Sequence, residues 1–136
     1  MKKIITILLI FISLTINATT YYISPTGNDG TGDGSIGNPW LTLYKATSTV
    51  TTSGDIIHVN AGTYIESQTC NLAVGVSIEG DGYTSILKTS FSAQYQPMLV
   101  LGSAEGTNGN QHISNLKIDG QLTTQWGIYI YGRSNV

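Results

Sequence analysis

The chain has 136 residues, a formal net charge of −2, 40% hydrophobic and only 10% charged side chains, 16 glycines and a single cysteine. That length holds one domain, and a glycine-rich, charge-poor composition points to short strands and turns rather than helices. Without a basic excess to meet phosphates, nucleic acid is excluded as a natural partner. The lone Cys70 excludes an internal disulfide and reads as a small buried hydrophobe.

The first residues read as an export leader. Lys2 and Lys3 precede an uncharged, mostly aliphatic run from Ile4 to Ile16, and small residues at Ala18 and Thr19 place cleavage after Ala18. The run has 13 residues, fewer than the about 20 that cross a bilayer. Residues 1–18 are therefore read as a removed signal, with no integral membrane span after it. The mature chain keeps Lys45, Lys88, Lys117 and Arg133 against eight acidic side chains, a net −4. The expected location is secreted or at the cell surface.

Thr20–Ser24 is a short β-prone run, broken by the glycine-rich turn cluster Pro25–Ser35. A helix is predicted next, with Asn38 as N-cap and Pro39 in its first position. Trp40, Leu43, Tyr44, Thr47 and Val50 recur on one face and Gly54 is the stop. Its many threonines make it a poor autonomous helix, so packing must hold it. Residues 19–53 thus read as an N-terminal cap of strand, loop and helix.

From Gly54 the period becomes two. Ile57 and Val59 flank His58, Val76 and Ile78 flank Ser77, Leu99 and Leu101 flank Val100, Leu116 and Ile118 flank Lys117, and Ile128 and Ile130 flank Tyr129. Each run ends in Gly, Asn or Asp. His112–Gly120 is followed by Trp126–Gly132, and Ser134–Val136 begins to resemble Gln111–Ile113, 23 residues from Ile113 to Val136. An antiparallel sandwich and a β-solenoid both fit short strands with frequent turns. Uniform aliphatic inward positions and a helix placed like a plug favour the solenoid, with about three coils over 54–136.

A resemblance supports the same architecture. Tyr22–Gly30, Asp33–Ser35, Asn38–Trp40, Gly54–Val59 and Gly62–Tyr64 resemble the opening of exported right-handed parallel β-helix proteins of the pectate-lyase-like superfamily. Ile113–Gly120 and Gly127–Ile130 resemble ordinary coils of those proteins. The resemblance implies an all-β, right-handed parallel β-helix with a short capping helix. Asn115 would sit at the tight bend between the second and third sheets, and Gly127–Tyr131 on the first. Relatives so implied are stacks of many coils, so the chain reads as the N-terminal portion of a longer protein whose catalytic residues lie beyond Val136.

The function so implied is an exported carbohydrate-active protein, a polysaccharide lyase-like enzyme acting on acidic polysaccharide, the alternative being a non-catalytic glycan-binding scaffold. Inward Ile128 and Ile130 leave Tyr129 and Tyr131 outside, where flat apolar rings with polar tips suit a pyranose. Arg133 beside them is a candidate clamp for a sugar carboxylate. Asn28, Asp29 and Asp33 place oxygen donors in one loop, so Asp29 and Asp33 are candidate Ca2+ ligands, with a plain turn as the competing reading. Lys117 and Asp119 read as a solvated sheet face. His58, His112 and Asp81 read as strand or turn residues.

Overall fold

The computed structural model describes residues 17–91, 96–120 and 127–136. Residues 1–16 of the expected leader, the segment 121–125 and Trp126 lie outside the described residues. Ten strands and one helix follow in chain order: β1 (Thr20–Ile23), α1 (Leu43–Thr49), β2 (Ile56–Val59), β3 (Gly62–Glu66), β4 (Cys70–Asn71), β5 (Ser77–Gly80), β6 (Ser85–Thr89), β7 (Leu99–Asn108), β8 (Ile113–Ser114), β9 (Lys117–Asp119) and β10 (Ile128–Ser134). Every paired strand is parallel to its partner, which removes the antiparallel sandwich. Three sheets result, ordered β1-β2-β5-β8, β3-β6-β9 and β4-β7-β10. From β2 onward the chain visits the three sheets in turn, and each strand pairs with the one three places later.

Side-chain alternation sets the register. A parallel neighbour places like positions side by side on one face, so apolar residues stack on apolar residues. Ile57 stands beside Ile78 and Ile78 beside Ile113. Tyr64, Leu87 and Ile118 form a second row, and Cys70, Leu99 and Ile128 a third. Ile57, Ile78, Leu87, Cys70 and Leu99 are fully buried in one continuous core. The interval between stacked positions is elastic: 21 residues from Ile57 to Ile78, but 35 from Ile78 to Ile113. A small part of the extra length bulges from β7 at Ser103–Gly106, where the β10 pairing jumps from Tyr131–Gly102 to Arg133–Thr107.

Asn115 carries the chain from β8 to β9 with φ +56. Its side chain tolerates this left-handed bend better than a branched or apolar one would. The neighbouring turn below offers Gly80, against which the Asn115 carbonyl packs closely.

The helix differs from the predicted one at both ends. It begins at Leu43 with Thr42 as N-cap, the Thr42 side chain accepting from Lys45 N at 3.1 Å. Asn38 and Pro39 lie outside it because Trp40 is extended and bridges Ile23, its N–H donating to Tyr22 O at 3.1 Å and its carbonyl accepting from Ser24 N at 2.8 Å. Pairing with β1 outweighs the local N-cap preference. At the far end Val50, not Gly54, is the C-cap. The hydroxyls of Thr47, Ser48 and Thr49 bond back to Tyr44 O and Lys45 O, a local competitor to further helix.

The helix packs on β1, β3 and β4, one strand from each sheet, and buries Leu43, Ala46 and Thr47. Glu66 on β3, only 1% exposed, reaches its first turn: the carboxylate accepts from Leu43 N at 2.7 Å and Tyr44 N at 3.1 Å. These are helix donors without intrahelical acceptors. Trp40 is buried beside them, stacked on Tyr21 with centroids 5.6 Å apart, and its indole N–H donates to Gly32 O at 2.9 Å.

Candidate functional site

The outer face of the β4-β7-β10 sheet gathers most of the chemistry outside the core. Cys70, Leu99 and Ile128 point inward, so their neighbours Asn71, Val100 and Tyr129 form an outward row, with Gly102 and Tyr131 beside it. Tyr129 and Tyr131 are 41% and 50% exposed, with ring centroids 5.4 Å apart and planes tilted by 38°. Gly102 makes this possible: a β-carbon there would lie 2.6 Å from Cε1 of Tyr131. Ile128 and Ile130 occupy the inward register beside Leu99 and Leu101 yet remain 38% and 45% exposed, because β10 is an edge strand among the described residues.

Arg133 does not stand beside the tyrosines as a free clamp. Its Nη2 donates to Gly102 O at 2.7 Å, and its Nη1 to Gln111 Oε1 at 3.0 Å and Leu72 O at 3.2 Å. Gln111 in turn accepts from Gly75 N and donates to Val76 O, each at 3.0 Å. Nε is buried without a partner, and burial pulls the guanidinium below its ordinary pKa. The charge thus ties the segment after β4 to β7 and to the entry of β8. No local sequence feature announces this, because its acceptors are main-chain carbonyls and the side chain of Gln111, 22 positions away.

A cavity of about 430 Å³ opens at the β4 end of the same face. Tyr44 comes from α1, Gln68 and Thr69 from the β3–β4 turn, Asn71 from β4, and Phe91 and Gln96 from the connection between β6 and β7. The Thr69 hydroxyl, 2.8 Å from Pro97 O and 3.3 Å from Gln96 Oε1, ties two of these walls together. Tyr44 stands where it does because Glu66 holds its N–H. Burial pushes the Glu66 carboxyl above its usual range, outweighing the two N–H donors. Cys70, fully buried with Sγ 3.7 Å from Glu66 Oε2, is held as a thiol by that burial and by the neighbouring charge.

The carboxylates of the acidic loop are engaged by the backbone. Asp29 Oδ1 accepts from Leu41 N at 2.7 Å and Thr42 N at 3.1 Å, while Oδ2 accepts from the Thr42 hydroxyl at 2.7 Å. Asp33 accepts from Ser35 N at 2.8 Å, and Ser35 holds its carboxyl below the usual range. Asn28 accepts from Gly30 N and Thr31 N. No group of three or more His, Cys, Asp or Glu side chains able to hold a metal occurs among the described residues.

The two histidines meet partners invisible in their spacing. On the β1-β2-β5-β8 sheet, His58 Nε2 lies 2.9 Å from Asp81 Oδ1, and His112 Nε2 lies 2.7 Å from Glu79 Oε1. Asp81 also accepts from Ala61 N at 2.9 Å. Each pair links one strand to the next. Lys88 and Lys117 approach Asp119 at 3.8 and 3.9 Å on the outside of the β3-β6-β9 sheet.

Compared with protein-family models, curated proteins and solved structures, the chain matches none. What the face does must be read from its own residues. Among those described, no helix is long and apolar enough to cross a membrane.

Proposed function

We propose that the chain is an exported right-handed parallel β-solenoid of the pectate-lyase-like kind that binds polysaccharide on the outside of its β4-β7-β10 sheet. The observation that carries this reading is the exposed, tilted pair Tyr129 and Tyr131 on one face of a parallel sheet. Two phenol rings 5.4 Å apart offer apolar faces for sugar C–H groups and hydroxyls for their rims. The three-sheet itinerary, the stacked inward aliphatics and the helix packed against a strand of each sheet support the solenoid.

Binding without cleavage is the form the geometry supports best. A lyase acting on uronates requires a cation at the carboxylate and a base at the α-proton. Arg133, the cation nearest the tyrosines in sequence, is engaged by carbonyls and Gln111. Affinity electrophoresis through polysaccharide gels tests the reading: the protein is retarded, and Tyr129→Ala with Tyr131→Ala removes the retardation. Equal mobility of the folded double variant and the parent in a retarding gel would refute it. Release of unsaturated ends absorbing in the ultraviolet from a panel of uronates would instead restore the lyase reading.

A further inference from the structure

Resting on that reading, we propose that the cavity between Tyr44 and Phe91 is a second sugar subsite and that the whole face selects uncharged polysaccharide. The cavity volume of about 430 Å³ lies in the lower part of the roughly 300–1,000 Å³ range of small-molecule sites. Its described lining combines two aromatic rings with the amides of Gln68, Asn71 and Gln96 and the hydroxyl of Thr69. Aromatic faces cover the apolar side of a pyranose, and amides both donate to and accept from its hydroxyls. None of the described lining residues is Lys, Arg, His, Asp or Glu.

The absence of charge decides the ligand class. A uronate brought to this face would shed water without meeting a counter-ion, a heavy penalty for a carboxylate. Lys45, next to Tyr44 on α1, does not line the cavity, Lys88 and Lys117 lie on another sheet beside Asp119, and Arg133 is turned to Gly102, Leu72 and Gln111. The net −4 of the chain after Ala18 adds long-range repulsion toward a polyanion. A neutral chain meets neither obstacle. Asn71 belongs both to the cavity and to the row leading through Val100 to Tyr129. Asn71 and Tyr129 are thus about 10 Å apart, two strand spacings, on one face.

Affinity electrophoresis through neutral gels (β-glucan, galactomannan, xylan, arabinogalactan) and acidic ones (polygalacturonate, alginate) tests this. The expected result is retardation by at least one neutral gel and by neither acidic gel. Phe91→Ala and the exposed-site variant Gln68→Ala are each expected to weaken binding about tenfold, as loss of roughly 1.4 kcal/mol of contact does, with native circular dichroism. Retardation by the acidic gels alone overturns the selectivity while leaving polysaccharide binding in place. Neutral-gel binding that survives both cavity variants but is lost on Tyr129→Ala with Tyr131→Ala overturns the subsite and not the tyrosine platform. No retardation in any gel overturns both.

Discussion

Glu66 provides the sharpest test of how the helix is held. Replacing it with Leu keeps the volume and removes the acceptor of two helix N–H groups, Leu43 N at 2.7 Å and Tyr44 N at 3.1 Å. Each buried donor left unpaired costs about 1–3 kcal/mol, so Glu66→Leu is expected to lose about 2–6 kcal/mol. Glu66→Gln behaves differently, since it resembles the protonated acid. Burial raises the native carboxyl above its ordinary 4.5, so the folded chain holds this proton more tightly than the unfolded one. The stability Glu66 contributes is therefore fullest below pH 4.5 and is lost as pH rises through the native value. Parent and Gln variant should lie close in acid, with the parent losing ground relative to Gln toward neutral pH. Urea denaturation followed by tryptophan fluorescence, at several pH values between acid and neutral, measures both. A Leu variant as stable as the parent would refute the clasp. A parent that gains on the Gln variant with rising pH would refute the dominance of burial over the two N–H bonds.

Three further outcomes follow from the packing. Arg133→Ala strands Gly102 O, Leu72 O and the Gln111 amide, and should lower thermal stability by about 2–4 kcal/mol while glycan-gel mobility of the folded protein is unchanged; unchanged stability with lost retardation would return Arg133 to the sugar site. Gly34→Ala places a β-carbon 2.6 Å from Cη2 of Trp40 at φ +82, and strain plus overpacking should cost about 2–5 kcal/mol. Gly37→Ala, with nothing within 4 Å, is its control in urea titration, and equal midpoints would show that the indole does not rest on Gly34. Cys70, fully buried with its pKa pushed up by burial and Glu66, should be silent to a chromogenic disulfide reagent in the native state and react once per chain in urea. Fast native reaction would contradict its burial.

Wherever a residue's role depended on its own strand, it was legible. Ile57, Val59, Leu99 and Leu101 are buried in the alternation that their spacing announces, and Asn115 takes the left-handed bend that few other residues accept. The helix start was misread because Asn38 and Pro39 carry strong local signals, whereas Trp40 is claimed by β1. Glu66 was unreadable for a related reason. A charged residue at an inward position looks like a break in the pattern until the helix donors, 22 and 23 positions earlier, are brought over it. The partners of His58 and His112, 23 and 33 positions away, depend on a register set by other residues. The cavity needs three separate segments. The N–H donors that Asp29 accepts come from Leu41 and Thr42, 12 and 13 positions away, and so were not readable in the loop itself.

The uneven spacing between stacked positions has a practical meaning for anyone wishing to remodel the molecule. Cys70, Leu99 and Ile128 stay level with one another, while Ser103–Gly106 loops out between Tyr131 and Arg133 without disturbing the pairing on either side. That excursion is a natural grafting port: foreign peptide inserted there would be displayed on the rim, close to the tyrosines, while the ladder beneath remained unaltered.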